Sequence, residues 1–172
     1  VKIANRPVRR APKLNAFLES EGYGSVPFDV AREGAQGEIA YHFVPDANGV
    51  PVITSGLVES SQQEIDEVVR LITKRAAGFT IVPASYMLTV VTLTHTFRTR
   101  LGAELKAIAN KNKAMGMFLR HVRIVDISDV AGAHATDAIL AMCYAKTSHG
   151  RLLRQFGALE SEGGRGMLLD AL

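Results

Sequence analysis

From Pro83 to Ile108 the apolar residues Tyr86, Val90, Leu93, Phe97, Leu101, Leu105 and Ile108 recur at steps of three or four. That spacing places them on one face of a helix. A second period competes over a shorter stretch. Val91, Leu93, His95 and Phe97 alternate with Thr92, Thr94 and Thr96, and threonine favours strands. The alternation is short, whereas the helical period runs the whole way. The pattern therefore predicts one long central helix over 83–108, with Ser85 able to cap its start.

Elsewhere the pattern changes period. Ile39, Tyr41 and Phe43 alternate with Glu38, Ala40 and His42, which predicts a strand over 37–44. Asn48-Gly49 tolerates positive φ at both positions and predicts a turn, with 50–57 as the return strand of a β-hairpin. Val26 to Ala31 reads as a short strand. Ser61-Gln62-Gln63-Glu64 has the form of a capping box. Ile65, Val68, Val69 and Ile72 then mark an amphipathic helix that Gly78 stops. Met115, Phe118, Val122 and Val125 predict another helix in preference to a strand over 118–127. Thr136 is placed to cap a further helix through Ala145, and Arg151 to Leu159 gives a last one.

The expected fold is thus α+β and mostly helical, an N-terminal arm and hairpin followed by a bundle of four to five helices. The expected organisation is a basic extended arm over 1–13, one globular domain over 14–160 and a tail over 161–172. The apolar Met167-Leu168-Leu169 in that tail is either a docking peptide or a terminus packed on its own domain.

Composition adds limits. The 172 residues are 47% hydrophobic and 22% charged, ordinary for a folded domain. No apolar run reaches the roughly 18 residues of a membrane span, so no membrane insertion is expected. No apolar segment follows the basic N-terminus, which argues against a signal peptide. A single cysteine, Cys143, precludes an internal disulfide and fits a reducing compartment, cytoplasm or virion.

Charge changes the picture most. Residues 1–13 carry five bases and no acid. Residues 14–73 carry ten acids against Arg32 and Arg70, a net −8. Residues 74–125 carry nine bases against Glu104, a net +8. Such asymmetry points to a polyanion or to complementary copies of the chain. Arg98, Arg100, Lys106, Lys111 and Lys113 follow the later part of the expected central helix and its turn, and Arg120 and Arg123 come three apart on the next element. Phosphate contacts are expected from Arg98, Arg100, Lys111, Lys113, Arg120 and Arg123, with Arg9 and Arg10 assisting from the arm. With no tryptophan to stack bases, sequence-specific reading is not expected.

Catalytic signals are thin. Cys143 lies in the apolar run AILAMCYA, where cysteine acts as a small hydrophobe. The five histidines show no metal-ligand spacing, and no cofactor is expected. Asp126, Asp129, His134 and Asp137 are the best enzymatic candidate, a loop able to do acid–base work or hold a divalent ion. Against that, Asp129 and Asp137 are natural helix starters. The sequence therefore favours a non-enzymatic assembly subunit of coat or nucleoprotein type. Its expected partners are the phosphate backbone of RNA or DNA and copies of itself. The alternatives are a small enzyme using the Asp126–Asp137 loop and a protein-interaction subunit without nucleic acid.

Overall fold

The computed structural model describes residues 8–9, 29–30, 40–44, 53–54, 57–58, 61–130, 135–143, 157–161, 164 and 167. The chain divides into two compact units, Val1–Phe43 and Val44–Leu172. In the first, strand β1 (Val8–Arg9) pairs in parallel with β2 (Asp29–Val30), which falls inside the short strand expected over 26–31. Residues 40–44, the end of the expected first hairpin arm, belong to no strand.

In the second unit β3 (Ile53–Thr54) pairs antiparallel with β4 (Leu57–Val58). The return arm expected over 50–57 therefore folds back on itself, and the Asn48-Gly49 turn lies outside the described residues. Helix α1 (Gln62–Ala77) begins and ends where its signals place it. Ser61 Oγ accepts from Glu64 N–H at its start, and the Gly78 N–H closes its last turn. Its apolar stripe, Ile65, Val68 and Ile72, is buried.

The rest of the unit is not a bundle of four or five helices. It is built on a three-stranded parallel sheet: β5 (Leu88–Thr92) lies between β6 (Val122–Asp126) and β7 (Asp137–Ala141). Leu88 is in register with Val122 and with Asp137, and Thr92 with Asp126 and Ala141. Parallel neighbours need long crossovers. Helices α2 (His95–Lys111) and α3 (Lys113–Phe118) supply the one from β5 to β6.

The expected central helix is therefore a strand followed by a helix. Thr89, Val90, Val91 and Thr92 are β-branched, and all five residues of β5 are buried, as suits a central strand covered on both faces. Thr94 marks the boundary: its side chain accepts from the N–H of Phe97 and starts α2. Phe97, Leu101 and Leu105 continue as a genuine buried helical stripe. The expected helix over 115–125 stops at Phe118, passes through a 3-10 turn (Leu119–His121) and becomes β6. The helix expected from Thr136 is β7, whose apolar run pairs with β5. Thr136 accepts from the Met87 N–H and so ties the start of β7 to β5.

Side chains alternate across the sheet. Leu88 and Val90 of β5, with Ala141 of β7, pack against Ile65, Ile72, Phe97, Leu101 and Phe118 of the helices. Val91 and Val125 form a second core on the opposite face with Ile127 and Val130, joined by Leu140, Leu159 and Met167. Met167 is thus packed on its own unit. Gly157–Glu160, overlapping the end of the helix expected over 151–159, is a 3-10 turn.

Candidate nucleic-acid interface

The basic segment occupies one corner of the second unit. Asn112 ends α2 and begins α3: its N–H donates to Ile108 O (2.9 Å) and its side chain accepts from the Met115 N–H (3.0 Å). The chain then doubles back. A Cβ on Gly116 would lie only 3.3 Å from the Ala109 carbonyl oxygen, so glycine lets α3 lie close along the last turns of α2. Met115 and Phe118 point into the core, and the 3-10 turn leads into β6 at the edge of the sheet. Lys106, Lys111, Lys113, Arg120 and Arg123 are all exposed on this helix–turn–helix–strand unit. Among the described residues none of the five has an ion-pair partner. Glu104 is the only acid between Leu93 and Val125.

Other bases of the segment are committed within the unit. Arg98 donates to Asp126 Oδ2 (2.8 Å), and Arg100 donates to Gln62 Oε1 (2.6 Å), joining α2 to α1. Arg75 lies over the rings of Phe79 and Tyr86 and bonds to Tyr86 and Asp137. Tyr86 itself donates to Asp137 (2.7 Å), so α1, the approach to β5 and the start of β7 meet in one clamp. Burial and then the Asp137 carboxylate push the Tyr86 hydroxyl up to about 12. Arg9 is in β1 of the first unit, and Arg10 lies outside the described residues.

The enzymatic candidate is not brought together. Asp126 is at the carboxyl end of β6 and Asp137 at the amino end of β7, opposite ends of the sheet four residues apart in register. At about 3.3 Å per residue that is about 13 Å. Asp129 is exposed, and His134 lies outside the described residues. No group of three or more His, Cys, Asp and Glu able to hold a metal ion occurs among the described residues. Among these residues, too, no helix is long and apolar enough to cross a membrane.

Two arrangements at the carboxyl edge of the sheet were not foreseen. Asp126 accepts from Arg98 and Thr92, with His95 Nδ1 at 3.7 Å. Burial disfavours its charged form, but the hydrogen bonds from Arg98 and Thr92 outweigh that, and the carboxyl titrates below its usual range. Glu64 makes only half of the expected capping box. Its Oε1 accepts instead from the N–H of Cys143 (2.9 Å), 79 residues away, and its Oε2 is buried with no hydrogen-bond partner. Burial raises the Glu64 pKa despite the backbone amides of Cys143 and Met142. Cys143 adopts φ 53°, a left-handed conformation rare for a non-glycine residue. Burial and then the Glu64 charge push its thiol up to about 12, which disfavours the thiolate. The serine–glutamate spacing flagged Glu64, but only the parallel placement of β7 brings its partner to it.

No protein-family profile, curated protein or solved structure matches this chain.

Proposed function

We propose that the α2–α3–β6 corner binds the phosphate backbone of nucleic acid without reading its bases, and that the chain is a structural assembly subunit rather than an enzyme. One observation carries this reading. Five exposed bases, Lys106, Lys111, Lys113, Arg120 and Arg123, converge on one small unit with a single acid, Glu104, among them. Flexible cationic side chains at a surface neutralise phosphates by releasing counterions, and that attraction is indifferent to sequence. Arg9 and Arg10 assist from the N-terminal segment, and copies of the chain associate on the same strand.

Binding of fluorescent single-stranded oligonucleotides at a series of salt concentrations tests this. Five phosphate contacts predict a log–log slope of about −3.5 to −4.5. Lys111→Ala/Lys113→Ala and Arg120→Ala/Arg123→Ala should each reduce it by about 1.4 to 1.8, equally for all sequences. Removal of residues 1–13 reports the share of Arg9 and Arg10, and sedimentation of the complex reports self-association. No binding at low salt, or folded variants that keep the full slope, would refute the proposal.

A further inference from the structure

Beside this corner β6 is an edge strand: β5 pairs with one side of it, and among the described residues nothing pairs with the other. Every second residue of such a strand directs its N–H and C=O outward. Against the edge runs a groove of about 190 Å3. Its floor is apolar, made by Gly102, Leu105 and Ala109 of α2 and by Leu119, Val122 and Ile124, and Lys106 forms part of its wall. The groove is shaped by a missing side chain. A Cβ on Gly102 would meet Ile124 Cδ1 in ordinary contact at 4.0 Å and no other atom within that distance. On the other face of β6 the exposed side chain is Arg123, with Arg120 just before the strand.

We propose that the outer edge of β6 takes an extended acidic peptide as a fourth strand of the sheet. The backbone of the edge supplies the pairing. Because strand side chains alternate, every second residue of the incoming peptide lies over the apolar groove and the ones between lie beside Arg123. Aliphatic residues fit the first set, under the Lys106 wall of the groove, and Glu or Asp the second, beside Arg120 and Arg123. Charge and chemistry argue against two other occupants. A second copy joined edge to edge would gather six bases at one seam, where the nearby acid, Asp126, is already held by Arg98. A nucleic-acid strand carries no alternating donors and acceptors to match a strand edge and has no aliphatic groups for the groove. This inference goes beyond the phosphate-binding reading and does not depend on it.

The experiment measures fluorescence anisotropy of a blocked seven-residue peptide alternating Glu and Val, at low salt, with the full chain. The Glu–Val peptide should bind at least tenfold tighter than its Lys–Val counterpart. It should also bind tenfold tighter than a version with proline at the centre, which lacks the pairing N–H. Gly102→Leu, which fills the groove without a backbone clash, should weaken binding tenfold at unchanged helicity. Arg123→Glu should shift the preference toward the Lys–Val peptide and covers the case in which Gly102→Leu does not fold. Lys111→Ala/Lys113→Ala should lower oligonucleotide affinity and leave peptide affinity alone, so the two readings fail separately. Equal binding of the proline peptide, wild-type affinity in Gly102→Leu, or loss of peptide binding in Lys111→Ala/Lys113→Ala would overturn the proposal. So would peptide binding unchanged by Arg123→Glu.

Discussion

Truncating Phe97 to alanine tests the strand-to-helix junction on which the second unit is organised. The ring is fully buried in the first turn of α2, in the cluster that also holds Ile65 and Ile72 of α1 and Leu88 and Val90 of β5. Burial of a Phe side chain is worth about 1.5 to 3 kcal/mol. Removing the ring also leaves a cavity of roughly 80 to 100 Å3, which at about 24 cal/mol per Å3 adds about 2 kcal/mol where the surroundings do not collapse. The bond from the Phe97 N–H to Thr94 survives, because it is made by backbone. Alanine is the better helix former, which offsets about 0.5 kcal/mol. The expected loss is therefore about 3 to 5 kcal/mol. Urea unfolding followed by far-UV circular dichroism reads it: at an m-value of about 2 kcal/mol/M the midpoint falls by about 2 M. Met117→Ala, on the exposed side of α3, is the control and should stay within about 0.5 kcal/mol of wild type. A loss below about 1 kcal/mol for Phe97→Ala, at unchanged m, would mean that the residue does not fill the core.

Two further substitutions probe the carboxyl edge of the sheet. The folded pKa of Glu64 is raised, so the stability it contributes is present below its unfolded value near 4.5 and is lost as pH rises through the folded value. Glu64→Gln does not titrate; its stability relative to wild type should climb as pH rises above about 4.5, and a flat difference counts against a buried charged carboxylate. Asp126 has the opposite sign. Its folded pKa is lowered, so its contribution is present above about 3.8 and lost as pH falls through the folded value. Asp126→Asn should cost about 0.5 to 1 kcal/mol at pH 7, the partial exposure of Arg98 limiting the effect, and the gap to wild type should close in acid. A gap that persists at pH 2 would refute the ion pair as its source.

Local signals were legible wherever one residue type has one strong use. Ser61, the stripe of α1 and Gly78 bound that helix correctly, because capping and periodicity act within a few residues. The sheet was not legible for a related reason. A strand buried on both faces shows no alternation, and Val90 and Leu93 fit a helical period as well as a strand. Thr94 was the deciding residue, and its role as a cap is visible only when the threonines before it are taken as a strand. In β7 the run Asp137-Ala-Ile-Leu-Ala fits either period. Pairing with β5, 49 residues earlier in register, decides it, and no local pattern records such a partner. The same holds for Glu64, whose amide bond serves the expected cap while its carboxylate serves Cys143.

The fold also re-sorts the charge that the sequence groups together. Of the nine bases in residues 74–125, Arg75, Arg98 and Arg100 hold elements of the unit to one another through Asp137, Asp126 and Gln62. Lys74 lies on α1, away from the α2–α3 turn in the chain. What remains at the corner is five bases and Glu104, a net +4 rather than +8. An arginine already paired with a carboxylate releases fewer counterions when a phosphate arrives than a surface lysine or arginine without such a partner. A salt slope set by all nine bases would reach about −6.3 to −8.1, against about −3.5 to −4.5 for the five of the corner alone. Arg98 also closes the end of β6 through Asp126, so its loss should lower stability and leave the salt slope unchanged, whereas loss of Arg120 should do the reverse.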